Sequence, residues 1–138
     1  MKEKLRADVL IVGAGICGMS SAYLLNEAGR KVVVLDSQGL GSGETGNTSA
    51  HLTAVLDDRY FELEKSHGKE AAKLVWESHA SAIDEIENII KKERINCDFE
   101  RVEGHLQFYK DQEEELEKEW EAFERIAPGV IKKSKLTL

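Results

Sequence analysis

The sequence is poor in the features that mark disulfide scaffolds, nucleic-acid interfaces and membrane spans. Its 138 residues include only two cysteines, Cys17 and Cys97, which are too few for a disulfide framework. Asp and Glu outnumber Lys and Arg by 26 to 19, and the net charge of −7 argues against nucleic acid or an anionic membrane as partner. No apolar run approaches transmembrane length without interruption. We therefore predict a cytoplasmic protein with no membrane partner and no nucleic-acid partner.

The usual signatures of a catalytic or metal centre are also missing. The four histidines are widely scattered along the chain: His51, His67, His79 and His105. Neither cysteine lies at metal-ligand spacing from them, so no metal site is predicted. There is no G-x-S-x-G, H-E-x-x-H or Walker lysine motif. The catalytic residues are therefore unknown at this point, and a cofactor would have to carry any chemistry.

The stretch from Asp8 to Asp36 has the pattern of a dinucleotide-binding βαβ unit. An apolar run at 9–12 is short enough for a strand buried on both faces of a parallel sheet. Three glycines follow at G-x-G-x-x-G spacing: Gly13, Gly15 and Gly18. A segment of helical period then ends near Gly29, and a second apolar run at 32–35 predicts another buried strand. The order strand, glycines, helix and strand is the dinucleotide fingerprint.

Each part of this fingerprint has a physical task. Gly13 permits the tight turn out of the strand, Gly15 lets a pyrophosphate approach the backbone, and Gly18 lets the helix pack against the strands. The helix N-terminus offers N–H groups and partial positive charge to a diphosphate. Asp36 can accept hydrogen bonds from ribose hydroxyls and would repel a 2′-phosphate, which disfavours NADP.

The loop after Asp36, residues 37–49, is rich in glycine and in hydroxyl side chains. It is either a flexible connector or a second phosphate-contacting loop that supplies backbone N–H groups and hydroxyls. Its candidate hydroxyl residues are Ser42, Thr45, Thr48 and Ser49. Residues 48–54 could open a short helix aimed at the same ligand. Because the loop follows a dinucleotide fingerprint, we favour the phosphate-contacting interpretation.

The next segment is predicted to be helical. A short helix is expected through 59–64, capped by Asp57 or Asp58 and ending near Gly68. A longer helix is expected over 69–92, because apolar residues recur there on one stripe with charged residues elsewhere.

A hairpin and an acidic helix are predicted for the rest of the chain. Residues 95–101 alternate as in a strand, and 106–109 are expected to pair back with them. Asp111 and Glu114 have the spacing of a capping box, which indicates a helix ending near residues 126–127. Its predicted buried stripe consists of Leu116, Trp120 and Phe123. Residues 130–131 are predicted to begin a last strand.

Three segments carry a resemblance to a known family: D-V-L-I-V-G-A-G-I-C-G-M-S-S-A-Y-L-L-N-E-A-G, V-V-L-D and G-S-G-E-T-G-N-T-S-A-H-L-T. They resemble the N-terminus of FAD-dependent oxidoreductases of the D-amino-acid oxidase and glycine oxidase type. The segments A-H-L-T-A-V-L-D-D-R-Y, E-S-H-A-S-A-I-D and C-D-F-E-R more closely resemble a bacterial subgroup with a C-terminal Rieske iron–sulfur domain. The resemblance covers essentially the whole chain.

The resemblance implies an FAD site. The implied cofactor-binding residues are Gly13, Gly15, Gly18, Asp36, Ser37, Thr45, Thr48, Ser49, His51 and Leu52. The glycines would meet the diphosphate, Asp36 the adenosine ribose, and His51 and Leu52 would lie nearer the flavin ring. The family's reaction moves a hydride from a carbon beside an amine or similar group of a small substrate to the flavin, and dioxygen or another acceptor then reoxidises the flavin. A 2Fe-2S cluster of the parent would lie outside this chain.

The expected fold is α/β: a partial Rossmann-like FAD-binding βαβ unit with additional helices and a β-hairpin from the substrate domain. Residues 1–56 would form the βαβ unit and second glycine-rich loop, and residues 57–138 a helical segment and the start of the substrate domain. Family members run to several hundred residues, and the C-x-H and C-x-x-H Rieske ligand pattern is absent from this sequence. The sequence is therefore expected to be a truncated N-terminal portion that is inactive alone.

Two other interpretations stay open. The first is an NAD-binding dehydrogenase unit, because Asp36 suits either cofactor; the loop at 41–49 favours FAD. The second is a cofactor-free fragment that forms a homo-oligomer through exposed strand edges and the long helix at 69–92.

Overall fold

The computed structural model describes residues 5–106 and 112–132. The chain divides into two compact units, Met1–His51 and Leu52–Leu138. The first unit contains parallel strands and helices, and the described part of the second contains helices. The predicted α/β class is therefore confirmed. No helix in the described ranges is long and apolar enough to cross a membrane.

The first unit is built on two parallel strands joined by a helix. Strand β1 spans Val9–Val12, helix α1 spans Ile16–Glu27, and strand β2 spans Val32–Leu35. The strands pair in parallel, with Val9 opposite Val32 and Val12 opposite Leu35. A short helix α2, Glu44–Asn47, follows β2. Because parallel strands need a crossover connection, α1 returns the chain to the start of β2 and packs against both strands.

One face of the small sheet is open, which corrects the expectation of strands buried on both faces. Leu10, Val12 and Leu35 are 59%, 82% and 52% exposed, respectively. Their side chains alternate with more buried residues along β1, so α1 covers only one side of the pleat. The apolar runs predicted the strands correctly, but the described residues supply no second layer for them.

The described part of the second unit contains three packed helices. These are α3, Tyr60–His67, α4, Lys69–Glu93, and α5, Glu113–Ile126. Their core holds an aromatic cluster in which the Tyr60 and Trp76 rings lie edge-on to Phe123, with ring centroids 4.9 and 5.3 Å from it. Such edge-to-face pairs add to the free energy that burial of the rings contributes. The three helices predicted for this part of the chain, the short one at 59–64, the long one at 69–92 and the acidic one ending near 126–127, are confirmed.

The predicted caps are not those observed. Helix α3 begins after Arg59, and neither Asp57 nor Asp58 caps it. The Glu119 carboxylate on α5 instead accepts a hydrogen bond from Phe61 N–H at 3.2 Å. Helix α5 begins after Gln112 with no side-chain cap, and Asp111 of the predicted capping box lies outside the described residues.

The predicted hairpin is wrong in its described part. Residues 95–106 contain no strand. Arg94 and Asp98 both have φ of 54°, in the left-handed region, which turns the chain where an extended strand was expected. The second hairpin strand lies almost entirely outside the described residues, from 107 onward. Residues 130–131 form a turn rather than a strand, and Ile131 packs against the helical core.

Candidate functional site

An open cleft of about 180 Å³ lies beside the glycine turn that leaves β1. Its walls come from that turn and from the loop after β2, at the carboxyl ends of the two strands. The lining includes Ala14, Gly15, Asp36, Gly39, Ser42 and Thr45. In parallel sheets the carboxyl ends of the strands are where ligands generally bind.

The glycines have the geometry that the turn requires. Gly13 has φ of +106°, and its N–H donates to the carbonyl of Leu35 at 2.8 Å, which joins the turn to β2. A Cβ on Gly18 would overlap the carbonyl oxygen of Gly13, so any side chain there would push α1 away from the turn. A Cβ on Gly15 would lie only 3.2 Å from Thr45 Oγ1. Gly15 and Gly18 therefore have little room for a side chain. Gly13 has room for one, but its positive φ disfavours any residue that carries a side chain.

Asp36 joins the two walls of the cleft. Its Oδ2 accepts a hydrogen bond from Ala14 N–H at 2.7 Å, and its Oδ1 accepts from the N–H groups of Gln38 and Gly39, both at 2.8 Å. These three bonds, that from Ala14 first, hold the pKa of the Asp36 carboxyl below its ordinary value. The site therefore carries a fixed negative charge at neutral pH.

The loop after β2 is tied to the glycine turn by further bonds. Gly41 N–H donates to the carbonyl of Ala14 at 3.0 Å, and Ile16 N–H donates to Thr45 Oγ1 at 3.0 Å. Ala14 is only 2% exposed, and both its backbone groups bond to the segment that follows β2. The alternative of a flexible connector is therefore disfavoured for the part of the loop that reaches Thr45.

Only some of the predicted site residues meet at the cleft. Five line it: Gly15, Asp36, Ser37, Ser42 and Thr45. Gly13 and Gly18 shape the turn behind it. Another group does not line the cleft: Thr48, Ser49, His51 and Leu52. The helix expected to open at residue 48 is not formed; α2 lies earlier, at Glu44–Asn47. Leu52 is the first residue of the second unit.

Sequence reasoning missed the backbone contributions of Ala14, Gln38 and Gly39, and the position of Glu44 in the cleft lining. The first three residues act through backbone N–H groups, and a sequence does not single these out because every non-proline residue has one. A possible signal was the Asp-Ser-Gln-Gly order after β2, because Asp side chains often accept bonds from N–H groups two or three residues later.

Residues 8–136 match the family described as FAD dependent oxidoreductase. The chain belongs to this family. The resemblance stated from the sequence is thereby confirmed, and FAD is the cofactor on which the family depends. Within the described residues, no group of three or more His, Cys, Asp or Glu is placed to hold a metal ion.

Several named proteins are similar to the chain. It is 33% identical over 106 residues to the Bacillus subtilis (strain 168) protein named "Putative Rieske 2Fe-2S iron-sulfur protein YhfW", covering 77% of this chain and 21% of that protein. It is 32% identical over 127 residues to the gamma-glutamylputrescine oxidoreductase of Escherichia coli (strain K12), covering 89% of this chain and 30% of the relative. It is 33% identical over 76 residues to the glycine oxidase of Bacillus licheniformis, covering 52% and 21%, respectively.

The chain thus spans between 21% and 30% of the length of these relatives. No solved structure matches it significantly. The similarity to YhfW agrees with the resemblance, stated from the sequence, to the bacterial subgroup that carries a Rieske iron–sulfur domain.

Proposed function

We propose that residues 1–56 form the FAD-binding portion of a flavin-dependent oxidoreductase, with a partial Rossmann-like βαβ unit as its base. The observation that carries the proposal is the cleft at the carboxyl ends of β1 and β2, where a glycine turn, a helix N-terminus and the Asp36 carboxylate meet. This combination suits a dinucleotide better than a simple anion, because it pairs diphosphate donors with a ribose acceptor.

The residues present fit the cofactor. Gly15 has no side chain, which keeps the first turn of α1 accessible to a diphosphate. Even a methyl group at this position would lie only 3.2 Å from Thr45 Oγ1. A carboxylate offers about four lone-pair positions. Three N–H groups occupy positions on Asp36, which leaves capacity for a ribose hydroxyl.

The remaining residues of the predicted site take their roles from the family resemblance. Ser37 would lie by the ribose, and Thr48 and Ser49 beside the diphosphate. His51 and Leu52 would lie nearer the flavin ring, and residues 57–138 would begin the substrate domain. Glu44 also lines the cleft, so the diphosphate must bind on the side of the glycine turn, away from this second negative charge.

The reaction follows from the family. Bound FAD would supply the hydride-accepting chemistry, and the substrate would be a small amine or similar molecule. The names of the E. coli and B. licheniformis relatives support this substrate class, and the name of YhfW supports a 2Fe-2S cluster in a longer parent protein.

Titration with FAD tests the site. We expect the wild-type chain to bind FAD, and the variant Gly15→Leu to lose at least about 100-fold in affinity because its side chain fills the approach to α1. The matched control is Gly104→Leu, since a Cβ there meets no atom within 4 Å. Equilibrium dialysis with absorbance in the flavin bands measures the affinity.

Three outcomes would contradict the proposal. FAD binding by Gly15→Leu at wild-type affinity would exclude the diphosphate assignment. Binding of NAD instead of FAD to a colourless protein would favour the dehydrogenase alternative. A stable oligomer on size-exclusion chromatography that is indifferent to added FAD would favour the cofactor-free alternative.

A further inference from the structure

A second concave surface of the chain lies between α3 and α5, within the second unit. This groove has a volume of about 300 Å³, at the lower end of the range for small-molecule sites. Two of its lining side chains are anionic, Glu64 and Glu121. Four are cationic: Lys65, Lys69, Lys118 and Arg125. The groove thus has an excess of two positive charges, although the chain as a whole has a net charge of −7.

The packing of three helices brings these charges together. The residues that α5 contributes recur at spacings of three and four and therefore share one face of that helix: Lys118, Glu121 and Arg125. Phe61 and Lys65 lie one turn apart on α3 and line the groove from that helix. Lys69 is the first residue of α4, directly after the corner at Gly68. The helical core therefore holds cations from three different elements around one space.

Arg125 is oriented by a carboxylate that is almost fully buried. Its Nε and Nη2 donate to the two carboxylate oxygens of Glu64 at 3.1 and 2.6 Å. The Glu64 side chain is only 8% exposed, so this bidentate pair fixes the guanidinium. Arg125 Nη1 lies 3.8 Å from the Glu121 carboxylate, which is too long for a hydrogen bond. Because a guanidinium has five N–H donors, three remain that no described residue accepts.

Two of the lysines bring uncompensated charge to the groove. The ammonium groups of Lys65 and Lys69 form no ion pair within the part of the chain that the structure describes, and both residues are exposed. Lys118 does have a partner, Glu114, one turn earlier on α5 at 2.6 Å. Like charges that line one groove repel each other, and an anion bound among them removes that repulsion. The groove is therefore suited to an anionic ligand.

The charge and the donors match a phosphate dianion. Its two negative charges equal the excess of positive charge in the lining, whereas a single carboxylate would neutralise only half of it. Phosphate oxygens accept hydrogen bonds both from the planar fork of an arginine and from lysine ammonium groups. The carboxylates of Glu64 and Glu121 would repel a long polyanion that extended over them. Phe61 provides an apolar wall against which an organic group can pack.

We propose that the groove between α3 and α5 binds a phosphate dianion, as inorganic phosphate or as the phosphomonoester of a small molecule. Lys65, Lys69 and the three remaining N–H groups of Arg125 hold its oxygens. This site is independent of the FAD cleft, because every residue that lines the groove belongs to the second unit.

Amide NMR titration of the whole chain with inorganic phosphate tests the site. The titration is done at about pH 7.5, where phosphate is mostly a dianion, and sodium chloride at equal ionic strength is the reference. We expect saturable shifts at Gly68 and Lys69. The double variant Lys65→Gln, Lys69→Gln removes both uncompensated charges and should weaken binding about 10-fold. Gln and Lys have similar helix propensities, so the helices should be retained, which circular dichroism checks.

The matched control is Lys73→Gln. Lys73 lies one turn after Lys69 on the same helix, but it pairs with Glu77 at 3.6 Å and does not line the groove. This variant should bind phosphate as wild type does. Phenyl phosphate then distinguishes the two forms of the ligand: affinity at least about 10-fold above that of phosphate would indicate an ester packed on Phe61, and equal affinity would indicate inorganic phosphate.

Three results would overturn the proposal. The first is no saturable shift with phosphate beyond that produced by chloride. The second is equal affinity in the double variant and wild type, or equal weakening in Lys73→Gln. The third is a set of shifts confined to the glycine turn around Gly15, which would place the phosphate in the FAD cleft. A failure of the chain to bind FAD would leave the groove unaffected, so the two proposals are tested separately.

Discussion

Asp36 has a structural task in addition to the ribose contact proposed for it. Its carboxylate crosslinks Ala14 on the glycine turn to Gln38 and Gly39 on the following loop. Hydrogen bonds to an ionised acceptor are stronger than those between neutral groups. The Asp36 carboxylate therefore holds the two walls of the cleft together without a ligand. Its negative charge also disfavours binding of a 2′-phosphate.

The pKa of Asp36 makes this crosslink dependent on pH. Backbone hydrogen bonds lower the pKa of Asp36 in the folded state, whereas the pKa of an Asp in an unfolded chain is about 3.9. The charge therefore stabilises the folded state above about pH 4, and the contribution is lost as pH falls through the lower folded pKa. We expect Asp36→Asn to lower the melting temperature at pH 7 and to approach wild type as the pH falls below about 4.

Thermal melts of both proteins across this pH range measure the effect. Asp57→Asn is the matched control, because Asp57 is exposed and lies in the second unit. A melting-temperature difference between Asp36→Asn and wild type that stays constant from pH 7 to pH 3 would show that the charge of Asp36 is not the cause.

Helix α5 provides an acceptor for a backbone N–H in the first turn of α3. The Glu119 side chain is only 2% exposed, and its Oε2 accepts the hydrogen bond from Phe61 N–H near the start of α3. Its Oε1 is buried with no hydrogen-bond partner in the described part of the chain. Burial, followed by the charge of Glu119, raises the pKa of Tyr60 to about 12, and the Tyr60 hydroxyl donates to the carbonyl of Ala54 at 2.6 Å. The start of α3 thus depends on a residue from another helix.

Replacing Glu119 tests this contact between the helices. Glu119→Leu keeps side-chain bulk but leaves Phe61 N–H without its acceptor, and we expect it to lower the free energy of unfolding by about 1–3 kcal/mol. Glu119→Gln keeps an acceptor oxygen without the charge and should lose less. Urea denaturation followed by tryptophan fluorescence measures both. The capping role would be wrong if Leu were tolerated better than Gln.

Arg101 holds the irregular segment 95–106 against α4. Its Nε donates to Glu87 Oε2 at 2.9 Å, and its Nη2 pairs with Asp84. All three side chains are at least partly exposed, so the contact should add little to global stability and should weaken in high salt. We expect Arg101→Ala to increase proteolytic cleavage within 95–106, measured by mass spectrometry of fragments. Arg30→Ala, in the first unit, should leave the cleavage pattern unchanged.

The first unit has an open sheet face formed by Leu10, Val12 and Leu35. Both strands of a two-stranded sheet are edge strands, which can pair with another chain. The homo-oligomer predicted through exposed strand edges and the long helix at 69–92 stays a prediction, and this face gives a position at which to test it. We expect Leu10→Lys, which puts a charge on this face, to shift the protein toward monomer in multi-angle light scattering. An oligomer that persists unchanged in this variant would place its interface elsewhere, for example on α4.

Local patterns were sufficient for much of the fold. Two short apolar runs determined β1 and β2, glycine spacing determined the turn, and hydrophobic periodicity determined α4 nearly to its last residue. Each of these features depends on residues a few positions apart, which a sequence displays directly. The dinucleotide class of the cofactor also follows from the sequence, because the glycine turn and Asp36 stand in register within one continuous segment, and the family follows from the resemblance that residues 8–53 carry.

Tertiary structure alone decided how the cleft and the helical core are assembled. The bonds from Ala14 to Asp36, Ile16 to Thr45 and Phe61 to Glu119 join residues 22, 29 and 58 positions apart. Each has a backbone N–H as its donor, and every non-proline residue carries one, so the sequence does not indicate which will be used. The expected strand at 95–101 is not formed for a related reason: the chain has left-handed backbone angles at Arg94 and Asp98, and Arg101 pairs with α4, which a local strand pattern does not indicate. The sequence by itself thus determined the family and predicted the site, and the long-range backbone contacts decided how the cleft is held together.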